Sequence, residues 1–477
     1  MADCAKGQRQ AKPLRIGIFD VSRAYFYAPA TRPLFINFIN IPAEDWEEGD
    51  EGLVGQLQGS LYGTRDAAQN WAATYTKFLV KIGFQRGRAS SCNFVHKKRN
   101  IKMTVLGDDF MVVADLEQIK WIEEQLKSEY AIKAEVLGPE PELSKEIKIL
   151  NRTIRWCGDK LEYEADGRHA EVIIEECEVQ SCRAAKTPGV HEATVDESVQ
   201  VRTEMKDHEK TRFRGVAARI NYLAMDRSDL QFAAKDLCRK MASPEPKDWD
   251  KARRIARYLK LRPRGVLEFP FERRSEKVDG YADSDWAGEK PSMKSTSGGA
   301  LKWGGSTLKS WSSTQTTIAL SSAEAELYAM SKCAQQTASL LSIARDFGIE
   351  LNAVVHSDAT AALGIAYRRG LGGKTRHVKV QYLWIQDAVE NKELKIEKVG
   401  TLENPADMLT KFLPSDAHSK HARRLSMSFE LGRSSADKAA EALVGLVGLE
   451  ARVRVFTKHV AIAKTLAATM APFSLRP

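Results

Sequence analysis

The alternation of apolar and polar positions predicts strands and hairpins in the N-terminal part of the chain. Ile16-Gly17-Ile18-Phe19-Asp20 is a short apolar run that ends in a carboxylate, which predicts a buried strand. Farther on, the β-rich runs 103–106 and 110–114 flank Gly107-Asp108-Asp109, and this pattern predicts a hairpin with acids at its tip. Because Asp is also an ordinary turn residue, the hairpin alone leaves a purely structural role open for these two acids.

The C-terminal part predicts helices between strands. Residues 214–259 carry apolar side chains at helical spacing, and the polar stretch 181–210 before them is typical of a linker. Beyond this block the pattern predicts strands at Val278–Ala282, Gly299–Trp303, Thr307–Trp311 and Val354–His356, an edge strand at Glu393–Val399, and helices at Ser322–Phe347 and Lys379–Asn391. A sheet with helices between its strands is an α/β arrangement.

Four carboxylates lie at the boundaries of these C-terminal elements. Asp283 and Asp358 each follow a predicted strand, Glu326 lies in the first turns of the long helix, and Asp407 follows a proline that suits a helix start. Acids that converge from separate elements repel one another unless a cation neutralises them. Oxygen-only ligands favour Mg²⁺ or Mn²⁺, and two such ions roughly 3.5–4 Å apart suit the cleavage of a phosphodiester.

Neighbouring acids compete with these four as ligands. Ser321-x-x-Glu324 matches a capping box, so we expect Glu324 to bond the helix N-terminus and leave Glu326 as the metal ligand. Asp283 and Asp285 alternate along one strand and share a face, so the pattern leaves either of them as a ligand.

Five sequence motifs surround these acids. They are Tyr281-Ala282-Asp283-Ser284-Asp285-Trp286-Ala287-Gly288, Lys294-Ser295-Thr296-Ser297-Gly298-Gly299, Trp311-Ser312-Ser313 with Ala319-Leu320-Ser321-Ser322, Arg376-His377-Val378 with Tyr382, and Asn404-Pro405-Ala406-Asp407-Met408-Leu409-Thr410-Lys411. Together they resemble the ribonuclease H domain of copia-type retrotransposon Pol polyproteins, over about residues 279–414. The resemblance implies a ribonuclease H fold that hydrolyses the RNA strand of an RNA–DNA hybrid, with Asp283, Glu326, Asp358 and Asp407 at the metal-binding positions.

The N-terminal part has two further motifs, the run 20–26, Asp-Val-Ser-Arg-Ala-Tyr-Phe, and Gly59-Ser60-Leu61-Tyr62-Gly63 with Trp71. The first resembles the first catalytic motif of the reverse transcriptases of the same elements, and the second resembles the sequence that follows it. The resemblance implies that Asp20, Asp108 and Asp109 bind two Mg²⁺ ions for nucleotidyl transfer. It also implies that Tyr25 crowds the sugar 2′ position and favours deoxynucleotides, although an ordinary core aromatic fits this position equally well.

Three departures from the family bear on polymerase function. Leu106 stands where the family has an aromatic residue before Gly-Asp-Asp, and Arg65-Asp66-Ala67-Ala68 replaces the usual Lys-Gln-Ala-Pro. Only nineteen residues precede Asp20, so the fingers subdomain is expected to be largely missing. We therefore expect the polymerase activity to be impaired by truncation.

The expected architecture is α+β and α/β, with four regions. A partial reverse transcriptase palm occupies residues 1–180, a linker and helical connection 181–270, a mixed ribonuclease H-like sheet with flanking helices 271–414, and a basic tail of unknown role 415–477, which includes an Ala-rich run at Ala436–Val447. The expected function is that of a Pol fragment, an RNA-directed DNA polymerase and ribonuclease H-type endonuclease. One alternative is a chain with hybrid-specific nuclease activity only, and the other is an inert or domesticated nucleic-acid-binding relic without turnover.

Bulk composition is compatible with nucleic-acid partners. The net charge is +9, and the expected partners are an RNA–DNA hybrid, an RNA template with a DNA primer, and deoxynucleoside triphosphates if the polymerase is active. Seven scattered cysteines without a C-x-x-C pair favour reduced thiols. With no long apolar run and no signal-peptide pattern, we expect no membrane partner, no secretion, and a cytoplasmic or nuclear location.

Overall fold

A computed structural model of the chain describes residues 13–30, 38–41, 44, 46–49, 52–191, 205–272, 275–370, 372–373 and 376–431. The chain divides into two compact units: Met1–Ser144 with Ile343–Ile349, and Lys145–Ser342 with Glu350–Pro477. The Ala-rich run 436–447 and most of the predicted basic tail lie outside the described residues, as does the middle of the predicted linker. In the described part of the chain, the helices are all too short or too polar to cross a membrane.

An antiparallel sheet in the order β4-β5-β6-β7-β1-β8 forms the first unit. Its elements are β1 (Leu14–Val21), β2 (Phe38–Asn40), β3 (Val54–Gln56), α1 (Ala67–Lys81), β4 (Gln85–Arg86), β5 (Asn93–His96), β6 (Ile101–Leu106), β7 (Asp109–Asp115), α2 (Leu116–Lys127) and β8 (Ile132–Leu137). The predicted N-terminal strand and acid-tipped hairpin are therefore β1 and β6–β7. Phe19, Trp71, Phe110 and Leu126 lie in the core under this sheet.

The second unit contains two further sheets and the helical block. Its elements are β9 (Glu146–Ile149), β10 (Arg152–Cys157), β11 (Lys160–Glu164), α3 (Arg168–Glu176), α4 (Asp207–Ala224), α5 (Gln231–Cys238), α6 (Pro246–Leu261), β12 (Arg264–Pro270), β13 (Lys277–Ser284), β14 (Thr296–Trp303), β15 (Ser306–Thr314), α7 (Ser322–Asp346), β16 (Asn352–Ser357), α8 (Thr360–Tyr367), α9 (Trp384–Glu390), β17 (Lys395–Lys398), α10 (Ser415–Arg424) and β18 (Met427–Glu430).

A mixed five-stranded sheet in the order β15-β14-β13-β16-β17 organises the C-terminal part of this unit. The pairs β13–β14 and β14–β15 are antiparallel, whereas β13–β16 and β16–β17 are parallel. This arrangement confirms the expected mixed sheet with helices, and β17 is an edge strand as predicted. Because β13 and β16 are adjacent and parallel, the carboxyl ends of both strands meet at one edge of the sheet.

The predicted helix Lys379–Asn391 is wrong in its first turns. The chain forms a 3-10 helix at Val380–Tyr382 and begins α9 only at Trp384. The carbonyl oxygen of Tyr382 accepts a bond from the Ser331 hydroxyl at 2.9 Å, and the Tyr382 ring stacks on Tyr328 with centroids 3.8 Å apart. This packing against α7 breaks the helix, which a periodic pattern in the sequence does not reveal.

A second, antiparallel sheet in the order β18-β12-β11-β10-β9 joins segments that are far apart in the chain. Residues 145–164, which the sequence analysis placed with the palm, pair through β11 with β12. Residues 415–430, which it placed in the tail, form α10 and β18, and β18 pairs with β12. The domain limits drawn from sequence stay a prediction, and these long-range pairings place both segments in the second unit.

Candidate metal centres

Three carboxylates meet at the carboxyl ends of β13 and β16. Asp283 lies near the end of β13, Asp358 directly follows β16, and Asp407 lies in a 3-10 helix at Pro405–Leu409. One carboxylate oxygen of each lies within 4.8 Å of the others. Asp283 and Asp407 are buried and Asp358 is half-buried. Parallel strand pairing brings the first two acids together, and the 3-10 helix supplies the third.

The 3-10 helix approaches the sheet closely because of Asn404 and Gly298. The Asn404 side chain accepts a bond from Ala406 N at 3.1 Å and donates one to Ala282 O at 2.9 Å, so it caps the helix and ties it to β13. A Cβ atom on Gly298 would lie 3.0 Å from the Ala406 carbonyl oxygen. Glycine at this position of β14 therefore leaves room for the helix that carries Asp407.

Glu326 points from α7 toward the same cluster. Its Oε1 atom accepts a bond from the Ser284 backbone N–H at 3.3 Å, and its Oε2 atom is buried without a hydrogen-bond partner among the described residues. Asp283 and Asp358 act on it electrostatically. A buried carboxylate oxygen without a donor is costly unless a cation occupies the space in front of it.

Glu324 forms the capping bonds at the start of α7 that the capping box predicts. Its Oε2 atom accepts a bond from Leu320 N at 2.9 Å, and its own N–H donates to the Ser321 hydroxyl at 3.2 Å. Tyr328 and His377 also bond its carboxylate. These contacts hold Glu324 away from Asp283, Asp358 and Asp407.

Asp285, the alternative ligand, directly follows β13 and contacts Thr296 on β14. Its carboxylate accepts bonds from the Thr296 backbone N–H and, at 3.0 Å, from the Thr296 hydroxyl. It is not part of the group of acids within 4.8 Å of one another. Of the two acids that the sequence left open as ligands, Asp283 is the one that meets Asp358 and Asp407.

Burial and mutual repulsion disfavour ionisation of the cluster. Burial, followed by the charge of Asp407, raises the pKa of Asp283 to about 7, against opposition from Lys411. Burial, then Asp283 and Asp358, raises the pKa of Glu326 to about 9. Burial also raises the pKa of Asp407. These directions are those expected of acids that converge before a cation neutralises them.

Lys411 is the cation that the sequence analysis did not assign to the site. Its ammonium nitrogen lies 3.3 Å from Asp407 Oδ1 and 3.8 Å from Asp283 Oδ2. Although burial disfavours its charge, Asp283 and Asp407 hold the pKa of Lys411 above its usual value. Its position four residues after Asp407 was the available clue, and the Lys411 backbone N–H donates to Asp407 O at 3.3 Å, so one turn of chain brings the two side chains together.

The donor set fits a hard divalent cation. Asp283, Asp358 and Asp407 offer carboxylate oxygens within 4.8 Å of one another, and the Oε2 atom of Glu326, which is outside that group, has no hydrogen-bond partner among the described residues. Oxygen-only sets of this kind are typical of Mg²⁺ and Mn²⁺.

The N-terminal acids lie on adjacent strands of the first unit. Asp20 on β1 is directly opposite Asp109 on β7, and Val21 N donates to Asp108 O at 3.0 Å. The hairpin tip is fixed by Trp71, whose indole N–H donates to Gly107 O at 2.7 Å. Asp20, Asp108 and Asp109 are all half-buried, and within the described residues the three do not meet the 4.8 Å spacing of the other cluster.

Tyr25 packs against the core of the first unit. It is half-buried, and its ring centroid lies 4.4 Å from that of Tyr62, which is 41% exposed. Burial, and then the charge of Asp108, raise the pKa of Tyr62. Tyr25 therefore belongs to a half-open aromatic group near Asp108, and Tyr62 is a neighbour whose role the sequence analysis did not identify.

Comparison with known proteins gives matches over most of the chain. Residues 11–160 match the reverse transcriptase (RNA-dependent DNA polymerase) family. The retrovirus-related Pol polyprotein from transposon TNT 1-94 of Nicotiana tabacum is 24% identical over 412 residues, and that from transposon RE2 of Arabidopsis thaliana is 23% identical over 418 residues. These matches cover 84% and 86% of this chain but only 30% and 27% of the relatives' lengths.

One similar solved structure is that of the foamy viral protease-reverse transcriptase in complex with RNA/DNA hybrid. It is 13% identical, with a TM-score of 0.46, and the match covers 85% of this chain and 45% of that chain.

Proposed function

We propose that this chain, which belongs to the copia-type retrotransposon Pol polyproteins and carries a reverse transcriptase domain at residues 11–160, hydrolyses the RNA strand of RNA–DNA hybrids in its second unit. The observation that carries this proposal is the convergence of Asp283, Asp358 and Asp407 within 4.8 Å, with Glu326 directed at them. Four acids from four separate elements at one sheet edge are costly to bury unless they bind cations.

The four acids are the residues that would hold two Mg²⁺ or Mn²⁺ ions. When bound, such ions activate the attacking water and stabilise the leaving oxygen of an in-line phosphodiester displacement. Glu326 Oε2 has no competing donor among the described residues, so its negative charge is directed into the cluster. Asp283 accepts a bond from the Thr410 hydroxyl, which fixes the orientation of its carboxylate.

Lys411 keeps part of the negative charge balanced. Because it lies 3.3 Å from Asp407 Oδ1 and 3.8 Å from Asp283 Oδ2, it offsets repulsion between these two carboxylates. Its ammonium group also offers a positive charge near the position where a phosphate would lie. Lys411 therefore helps to hold the acids together in the protein alone and to attract the nucleic-acid backbone.

We propose for the first unit RNA-directed synthesis of DNA, with deoxynucleoside triphosphates, an RNA template and a DNA primer as substrates. The observation in favour is the placement of Asp20 opposite Asp109 with Asp108 at the same hairpin end, inside the segment that matches the reverse transcriptase family. These acids would hold the two Mg²⁺ ions of nucleotidyl transfer. Tyr25, whose ring neighbour Tyr62 lies near Asp108, is the candidate contact to the sugar 2′ position.

A cleavage assay tests the nuclease. The full chain is incubated with an end-labelled RNA in three forms, hybridised to DNA, single-stranded, and paired with RNA. We expect Mg²⁺- or Mn²⁺-dependent cleavage of the hybrid only. Equal cleavage of all three RNAs, or hybrid cleavage that persists in excess EDTA, would contradict the proposal.

Primer extension tests the polymerase separately. A DNA primer annealed to an RNA template is incubated with deoxynucleotides, or with ribonucleotides in a parallel reaction. We expect only weak incorporation of deoxynucleotides, because Leu106 and residues 65–68 depart from the family pattern, and we expect this incorporation to require Asp108. An inert relic would produce neither extension nor hybrid cleavage while still binding nucleic acid.

A further inference from the structure

Two half-buried lysines lie together at the β15 edge of the mixed sheet. Lys309 projects from β15 and donates to the Gln336 side chain on α7, while Lys332 on α7 donates to the Ser313 hydroxyl on β15. Lys309 and Ser313 are four residues apart on β15, and side chains separated by an even number of residues along a strand point to the same face. Lys332 and Gln336 are four residues apart on α7 and share a helical face. We call Lys309 and Lys332 the lysine pair.

The lysine pair lacks an acidic counterpart. Within the described residues, neither ammonium group has a carboxylate within ion-pair distance, and both donate to neutral oxygens instead. Burial lowers the pKa of both lysines, and Lys309 also lowers that of Lys332. Two like charges that lose water without gaining an anion are costly. The other edge strand differs, because Lys395 on β17 lies 2.7 Å from Glu397.

The lysine pair is on the same sheet as the acid cluster. Ser313, which accepts from Lys332, pairs with Ser297 on β14, and Ser297 pairs with Ser284, whose side chain lies on the face of β13 opposite to that of Asp283. The lysine pair therefore lies on the α7 side of the sheet, from which Glu326 approaches the acids. Two strand spacings separate Ser313 from Ser284, which corresponds to about 10 Å. A nucleic-acid strand rises by about 3.4 Å per nucleotide along its axis, so this separation corresponds to about three nucleotides.

We propose that Lys309 and Lys332 bind the phosphodiester backbone of the RNA–DNA hybrid and position it over the acid cluster. This inference rests on the proposed nuclease function and assigns it a backbone-binding subsite. A backbone phosphate supplies the anionic oxygens that the two ammonium groups lack in the protein, and lysine binds phosphate as a point charge. Ser313 and Gln336 hold the two ammonium groups in place before the phosphate arrives.

The salt dependence of binding tests the subsite. Binding of a fluorescent RNA–DNA hybrid to the full chain is measured by anisotropy across a salt series, in the Asp358→Asn background to prevent cleavage. Removing one lysine that neutralises a phosphate should make the slope of log K against log salt shallower by about 0.9, and Lys309→Gln with Lys332→Gln by about 1.8. Lys395→Gln, at the opposite edge of the sheet and paired with Glu397, should leave the slope unchanged.

Rescue and kinetics separate binding from a structural role. The double variant Lys309→Arg with Lys332→Arg keeps both charges, so its salt slope should equal that of the chain with both lysines. If the two lysines served only packing, the glutamine variants would show no change in slope. In the parent background the glutamine pair should raise KM more than it lowers kcat, because a backbone contact is made in both the ground state and the transition state. An unchanged slope with intact hybrid cleavage would overturn the subsite alone, whereas absent cleavage by the parent chain would overturn the proposed function.

Discussion

The two sets of acids in this chain are assembled in different ways. Asp20, Asp108 and Asp109 lie on β1 and the β6–β7 hairpin, which are neighbours in one antiparallel sheet. The acids of the second unit come instead from β13, α7, the end of β16 and a 3-10 helix, and three of them meet within 4.8 Å.

This difference sets how strongly each site depends on cations. The acids at the hairpin are held by strand register, with Trp71 fixing the turn. In the second unit, burial raises the pKa of Asp283 to about 7 and that of Glu326 to about 9. A site built from several elements around buried like charges gains more from a bound cation, because the cation also offsets the repulsion between the elements.

Exchange of one acid in each site should give the largest effect and separate the two activities. Asp358→Asn should lower hybrid cleavage on the order of a thousandfold or more, because one charged ligand of the metal centre is removed. Primer extension should persist in this variant, and Asp108→Asn should show the reverse pattern. Asp416→Asn, an aspartate in the first turn of α10, is the matched control and should retain both activities. Loss of both activities in either variant would show that the two sites are not independent.

The pH dependence of stability without metal should be the next largest effect. Asp283 and Glu326 have raised pKa values, about 7 and about 9, so the folded state retains protons that the unfolded state releases. The free energy of unfolding in EDTA should therefore fall as pH rises from about 4 to about 9. Because metal ligands must be deprotonated, the rise in Tm on adding Mg²⁺ should become larger over the same range.

Glu326→Gln sharpens this measurement. The variant should lose the part of the pH dependence between about pH 7 and pH 9, because the group responsible no longer titrates. Glu393→Gln, an exposed glutamate before β17, should behave like the parent chain. Thermal unfolding in EDTA and in Mg²⁺ at several pH values provides the comparison, and a parent Tm in EDTA that is flat with pH would contradict the assigned repulsion.

A smaller effect is expected from Trp71→Phe in the first unit. The change removes the bond to Gly107 O and part of a fully buried side chain, which should cost about 1–3 kcal/mol in the free energy of unfolding. Hydrogen exchange at the amides of the hairpin tip should become faster. Trp121 is half-buried on α2, and Trp121→Phe serves as the control, which should leave hydrogen exchange at the hairpin tip unchanged. Unchanged exchange at the tip would show that Trp71 does not fix the turn.

The smallest effect is expected from Lys411→Gln. Removing this ammonium should lower Tm in EDTA slightly, because the repulsion between Asp283 and Asp407 is no longer offset, and should enlarge the rise in Tm on adding Mg²⁺. Lys420→Gln, whose lysine is half exposed and 3.9 Å from Glu403, controls for removal of a surface charge. A smaller response to Mg²⁺ in Lys411→Gln would indicate that Lys411 supports cation binding rather than competing with it.

The sequence by itself determined the local elements and the candidate acids. Apolar alternation located β1 and the β6–β7 hairpin, and the Ser321-x-x-Glu324 pattern separated the capping glutamate from Glu326. These features depend on neighbours within a few residues, so their periodicity and capping pattern are visible in one chain.

Only the tertiary structure decided which side chains meet. In the folded chain Asp285 bonds Thr296, and Lys411 lies against Asp283 and Asp407. The lysine pair lies at the β15 edge without an acidic counterpart among the described residues. The tertiary structure also carried residues 145–164 into a sheet with β12, about a hundred residues later in the chain. Such contacts follow from strand register and helix packing across long separations, and a local pattern carries no information about which distant segments pair.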